Sequence, residues 1–114
     1  MIKTITTNNL TYTSLGEPHQ YNKGLLRNCE IQTPYCIIRF KIYHGYLHDF
    51  IESLQVYDHA SSIQLLNLQN IKKTEVSKEN ICKLLNRLDS STRLNDEKLD
   101  KFIKIVQQQI LQQS

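Results

Sequence analysis

Apolar and polar residues alternate strictly along residues 36–43, and this pattern predicts a strand with one buried face. The apolar set is Cys36, Ile38, Phe40 and Ile42, and the alternate positions carry Ile37, Arg39, Lys41 and Tyr43. Successive side chains of a strand point to opposite faces of its sheet. The first set is therefore expected in a core, and the mixed second set favours an antiparallel sheet with one solvated face.

Two further strands are expected at the start of the chain. Residues 2–7 and 10–15 are rich in Thr, Ile and Tyr, which favour strands. They flank Asn8 and Asn9, a pair able to adopt the positive φ angles of a two-residue hairpin turn. The pattern predicts a first β-hairpin.

The next segment combines a loop signal with a strand signal. Residues 16–24 have Gly at both ends and contain Pro18, which cannot donate a ladder hydrogen bond. We expect a loop there and a strand over residues 25–32, so that residues 1–43 are mainly β.

After Gly45 the spacing of apolar residues resembles that of a helix. The apolar positions are Tyr46, Leu47, Phe50, Ile51 and Leu54. They predict a helix that ends near Asp58, with Asp49 and Glu52 on its polar side.

Residues 61–73 are ambiguous. They fit a short helix capped by Ser61 or Ser62, or a strand with a bulge at Leu65–Leu66. The helix is the preferred interpretation.

Two more helices are expected near the end of the chain. Ser77 is a suitable N-cap for a helix whose apolar stripe is Ile81, Leu84, Leu85 and Leu88. Residues 96–114 predict a longer amphipathic helix. Its stripe is Leu99, Phe102, Ile103, Val106 and Ile110.

Together these elements predict an α+β fold in a single domain over residues 1–114. A small antiparallel sheet of three or four strands would occupy residues 1–43. Three or four helices in residues 46–112 would cover one face of that sheet. A chain of 114 residues is long enough to bury a core without disulfides.

The composition of the chain limits the classes of protein and the cellular compartments that fit it. No segment approaches the ~20 apolar residues of a membrane span, and the first residues lack the apolar core of a secretory signal. The three cysteines are odd in number and widely spaced, which favours reduced thiols. We expect a cytoplasmic protein with no membrane partner, although export by a specialised secretion machine stays open. The skew towards Ile, Asn, Lys and Gln is typical of an AT-rich genome, such as that of a low-GC bacterium or phage.

No catalytic or metal-binding motif stands out. His44 and His48 are four residues apart, but the glutamate of a zinc-protease motif is replaced by Gly45. Cys36 and Cys82 fall among core positions, and no glycine-rich phosphate loop is present. The sequence therefore predicts a protein that is not an enzyme and holds no cofactor or metal.

The remaining prediction is a non-catalytic protein-interaction domain, either an inhibitor or regulator of immunity, antitoxin or effector-inhibitor type, or an adaptor. Ile105 and Leu111 flank the stripe of the last helix and are candidate partner-binding residues, in a homodimer or with another protein. The outer set Arg39, Lys41 and Tyr43 is the other candidate surface. Because it combines basic and aromatic side chains, it also raises the alternative of a small nucleic-acid-binding regulator.

Overall fold

The chain forms one antiparallel sheet and two helices in a computed structural model. The structure describes residues 2–7, 9–71, 74–87 and 96–113, of which 96–100 are described by their backbone. Within those residues the strands are β1 (Lys3–Thr7), β2 (Leu10–Ser14), β3 (His19–Tyr21), β4 (Gly24–Gln32), β5 (Cys36–His44), β6 (Asp49–Asp58) and β7 (Gln64–Leu68). The helices are α1 (Lys78–Leu85) and α2 (Asp96–Leu111).

The sheet is a meander with the order β1-β2-β4-β5-β6-β7. Strand β5 occupies one edge of β4 from Leu25 to Gln32. Strands β2 and β3 therefore share the other edge of β4, β2 beside Cys29 and Glu30, and β3 beside Gly24 to Leu26. Apart from β2 and β3, which both pair with β4, sequence-adjacent strands are neighbours in the sheet. All of these pairings are antiparallel, as the polarity pattern predicted.

The two faces of the sheet differ sharply. Cys36, Ile38, Phe40 and Ile42 are all buried, as their alternation predicted. They belong to a single apolar cluster with residues of both helices, namely Ile81, Cys82, Leu84, Leu85, Val106 and Ile110. We call this the covered face. The opposite side of the strands, which includes the exposed Arg39 and Lys41, is the outer face.

Both helices are fixed by polar contacts as well as by packing. The hydroxyl of Ser77 accepts a hydrogen bond from the backbone N–H of Asn80 and caps α1, as predicted. The Gln113 side chain makes two hydrogen bonds to the main chain of Thr11, accepting from its N–H at 2.9 Å and donating to its carbonyl at 3.2 Å. Lys78 Nζ donates to the Gln113 carbonyl at 2.7 Å, so the end of α2 is tied to both β2 and α1.

The strands predicted for the first third of the chain are confirmed, and the exception is the loop predicted over residues 16–24. Strands β1 and β2 form the expected hairpin, and Asn9 has a φ of 65°, whereas Asn8 lies outside the described residues. The segment predicted as a loop over residues 16–24 contains β3 and its turn. Asn22, with a φ of 52°, supplies the positive φ of that turn.

The predicted α+β fold with a sheet of three or four strands covered by three or four helices is wrong. Residues 46–58 form no helix, because the chain turns at Gly45–His48 and continues as β6. Ile42 pairs with Ile51 and Lys41 with Ser53, so Glu52 is an extra residue that makes a bulge. The bulge shifts the alternation and buries both Ile51 and Leu54. Two buried residues three positions apart look like one helix face.

The preferred helix within residues 61–73 is also wrong, and the alternative of a bulged strand is correct. Val56 pairs with Leu66 and Tyr57 with Gln64, which leaves Leu65 as the extra residue. Leu65 and Leu66 are both buried although they are adjacent in sequence. The division into a β part over residues 1–43 and an α part over 46–112 therefore fails, since strand continues to Leu68.

The last predicted helix is present as α2. Val106 and Ile110 are buried and Phe102 and Ile103 partly so, as expected for the stripe. The side chain of Leu99 lies outside the described residues, as does all of Leu88 in the stripe of α1. Neither of the helices described is long and apolar enough to cross a bilayer.

Candidate partner-binding surface

Polar side chains run across the outer face from one edge of the sheet to the other. Strand register aligns six of them in a row: Thr4, Thr13, Glu30, Arg39, Gln55 and Asn67. Gln55 Nε2 donates to Asn67 Oδ1 at 3.2 Å within this row. This row therefore presents hydroxyls, carboxamides and one ion pair across the outer face.

Arg39 is held in place at the centre of this row. Its Nε lies 3.5 Å from Glu30 Oε2, and its guanidinium carbon lies 5.5 Å from the centre of the Tyr57 ring. Glu30 is only 8% exposed and also accepts a hydrogen bond from Gln32 Nε2. The side chain of Arg39 is nevertheless 54% exposed. Among the described residues its two terminal nitrogens have no hydrogen-bond partner, so both are available to a binding partner while Glu30 and Tyr57 restrain the guanidinium.

Lys41 and Tyr43 continue the same face of β5 in different surroundings. Lys41 is exposed between Asn28 and Ser53 in the register, and within the described part of the chain it has no ion-pair partner. Tyr43 packs edge-on against Tyr21, with ring centres 6.2 Å apart, and its ring lies over Gly24. Tyr43 therefore has a packing role, whereas Lys41 is free to contact a partner.

Ile105 and Leu111 lie on α2, away from the outer face. Both are exposed, at 39% and 50%. Residues six positions apart on an α-helix are separated by about 120° around its axis. The two side chains consequently flank the buried stripe on opposite sides and do not form one continuous patch.

A chain of hydrogen bonds that the sequence did not predict links four strands. Asp49 Oδ1 lies 2.9 Å from His44 Nδ1, and Arg27 Nε donates to His44 Nε2 at 3.3 Å. Arg27 Nη1 donates to the Ser14 hydroxyl at 2.7 Å, which in turn donates to the Gly16 carbonyl at 2.8 Å. Because Nε2 accepts from arginine, the neutral imidazole carries its proton on Nδ1 and donates it to Asp49.

This chain of side chains is arranged for structure and not for nucleophilic catalysis. A serine nucleophile needs a histidine nitrogen as its base and access to substrate. Here Arg27 stands between His44 and Ser14, and Ser14 is fully buried. Only the register that pairs Leu25 with His44 and Ser14 with Cys29 brings these residues together, and neither pairing has a local sequence signal.

His44 and His48 do not lie one turn apart on a helix, which is the arrangement considered for a shared metal ion. His44 ends β5 and His48 lies in the following turn, with His48 Nδ1 3.7 Å from Glu75 Oε1. Among the described residues, no three His, Cys, Asp or Glu side chains form a group that could hold a metal ion.

The three thiols lie in the apolar interior. Burial raises the pKa of Cys29 to about 12, against an ordinary value of 9.0, although nearby Arg27 acts in the opposite direction. Burial also raises the pKa of Cys36 and of Cys82. A thiol is a nucleophile only as its thiolate, so these groups behave as small apolar core residues near neutral pH.

No protein-family model, curated protein or solved structure matches this chain. A functional assignment therefore rests on the chemistry of its surfaces.

Proposed function

We propose that this protein is a non-catalytic protein-binding domain that regulates or inhibits a partner protein by stoichiometric contact through the outer face of its sheet. The observation that carries the proposal is Arg39, held by Glu30 and Tyr57 yet exposed, at the centre of a polar row on the sheet face that neither described helix covers. Arginine and tyrosine are enriched where proteins bind one another. Arg39 and Tyr57 form such a pair here.

The outer face is preferred over α2 as the contact surface. Ile105 and Leu111 point to opposite sides of the buried stripe, so one flat partner would not contact both. The outer face in contrast offers a continuous row of side chains across six strands. Its hydroxyl and carboxamide groups suit the hydrogen-bonded contacts of a regulatory interface.

Nucleic-acid binding is the second candidate, because Arg39 and Lys41 share their face with Tyr43 and Tyr57. The charge on that face favours a protein partner over a nucleic acid. The outer face of the described strands carries two Lys or Arg side chains, Arg39 and Lys41. Of these, Arg39 is already paired with Glu30. Binding to a polyanion usually requires several free cations along the path of its phosphates.

Site-specific photo-crosslinking tests the proposal. A photoreactive amino acid placed at Asn67 or Thr13 reports on the outer face, and one placed at Lys104 on α2 is the matched control. We expect discrete protein adducts in the source cells from the outer-face positions and none from position 104. Adducts from position 104 alone, or nucleic-acid adducts from Asn67 and Thr13, would contradict the proposal.

A further inference from the structure

A pocket on the outer face is lined by cations and carboxamides. It has a volume of about 240 Å³ and lies between Leu15, Asn28, Arg39, Phe40, Lys41 and Gln55. Both of its charged residues, Arg39 and Lys41, are positive. Glu30 is not among the residues that line this pocket, although its carboxylate pairs with Arg39 at the pocket's edge.

The polar groups around this pocket are able to donate hydrogen bonds. Glu30 and Tyr57 fix the guanidinium of Arg39 and leave its terminal nitrogens unused. The Gln55 amide nitrogen gives one hydrogen to Asn67 and retains a second. Lys41 and Asn28 are exposed and contribute an ammonium group and a carboxamide. Glu30 balances part of the charge of Arg39, so among the described residues the lining combines the unpaired positive charge of Lys41 with several free N–H donors. Such a set suits a single anionic acceptor.

We infer that this pocket binds the carboxylate of an aspartate or glutamate side chain in an acidic segment of the partner protein. The inference rests on the proposed function and names the chemistry of its partner. The planar fork of a fixed guanidinium matches a carboxylate through two parallel hydrogen bonds. Lys41 adds a second positive charge, two residues along the same face of β5, about 7 Å away by strand geometry.

A peptide titration of the 114-residue protein tests this inference. The probe is a synthetic peptide of alternating glutamate and serine, followed by the backbone amide resonances of the isotope-labelled protein at low ionic strength. We expect shifts at Asn28, Lys41 and Gln55 that reverse with added salt, because exposed ion pairs are screened. The same peptide with glutamine in place of glutamate should produce no such shifts.

Matched substitutions identify the pocket. Arg39→Gln and Lys41→Gln should each weaken binding of the acidic peptide about tenfold, which corresponds to the loss of one charge-assisted contact. Lys104→Gln removes the same charge from an exposed position on α2 and should change the affinity by less than about twofold. Thermal unfolding of each variant confirms that the fold is retained.

Two outcomes would overturn the inference in different ways. Absence of peptide binding, or shifts confined to α2, would contradict the carboxylate-binding pocket. The proposed function would still be supported in that case if outer-face positions crosslinked to a protein. If a single-stranded oligothymidine bound at Asn28, Lys41 and Gln55 more tightly than the acidic peptide, both the inference and the proposed function would give way to nucleic-acid binding.

Discussion

Arg39 and Phe40 are neighbours on β5, yet they belong to two regions of the molecule with opposite character. Phe40 is 1% exposed and packs edge-on against Tyr12, with ring centres 5.5 Å apart, beneath the two helices. Arg39 points to the face that neither helix covers. The covered face is explained largely by burial, since most of its residues are apolar and fill one core. The polar side chains of Ser14, Arg27 and His44 on that face hydrogen-bond to one another.

The outer face needs a different explanation. Its central arginine forms a cross-strand ion pair with a buried carboxylate, a contact that also stabilises the sheet. Removing Glu30 from water costs free energy, which its contacts with Arg39 and Gln32 offset in part. A fixed guanidinium is useful if another molecule has to meet it in one orientation. The comparison therefore supports the proposal that the outer face binds a partner, whereas the covered face serves folding.

The largest effect on stability is expected for a core truncation on the covered face. Phe40→Ala should lower the free energy of unfolding by about 3–5 kcal/mol, because it leaves a cavity between β2, β5 and the helices. Denaturant titration measures the change. An effect below about 1 kcal/mol would show that the covered face is not a tightly packed core.

The thiols of the covered face offer a second probe. Because the pKa of Cys29 is raised to about 12, iodoacetamide at pH 8 should alkylate it roughly a thousandfold more slowly in the native than in the denatured protein. The unfolded chain loses this proton at lower pH than the folded one. Stability should therefore fall as the pH rises from 9.0 towards 12. Rapid native alkylation would contradict the burial of this strand face.

Gly24 tests whether Tyr43 serves packing on the outer face. A Cβ atom at this position would lie 2.5 Å from the His44 carbonyl oxygen and 2.8 Å from the Tyr43 ring. Gly24→Ala should consequently destabilise the protein by about 1–3 kcal/mol. A neutral result would show that β4 does not approach the backbone of β5 and the Tyr43 ring this closely, and Tyr43 would then rank with Lys41 as a contact residue.

The smallest effect on stability is expected at the proposed contact surface. Lys41→Gln should change the free energy of unfolding by no more than about 0.5 kcal/mol, as is usual for an exposed side chain. Lys104→Gln is the control with the same change in charge. A large loss of stability at Lys41 alone would mean that this side chain serves the fold.

The comparison also explains which parts of the fold the sequence predicted. Strict alternation in β5 identified both its buried and its exposed residues, because nothing interrupts the pleat between Cys36 and Tyr43. The neighbouring strands β6 and β7 each contain an extra residue, Glu52 and Leu65, that reverses the alternation. A bulge leaves no mark in the sequence that distinguishes it from a helical period.

The candidate site was predicted in part. Arg39 and Lys41 could be assigned to one exposed face because period-two spacing fixes relative orientation within a strand. The contacts of these two side chains could not be predicted, because Glu30, Tyr57 and Gln55 belong to other strands whose register depends on the whole sheet. The contact of Gln113 with Thr11 joins residues 102 positions apart and has no local signal.

The most direct test of the account is the affinity of the crosslinked partner for three variants that each introduce a negative charge. Lys41→Glu alters the outer face, whereas Ile105→Glu and Leu111→Glu alter the two flanks of α2, and the thermal midpoint of each should stay within about 5 °C of the wild type. We expect Lys41→Glu to weaken binding at least about tenfold, and both α2 variants to change it less than about twofold. Loss of binding in either α2 variant, with full affinity retained by Lys41→Glu, would contradict the assignment of binding to the outer face.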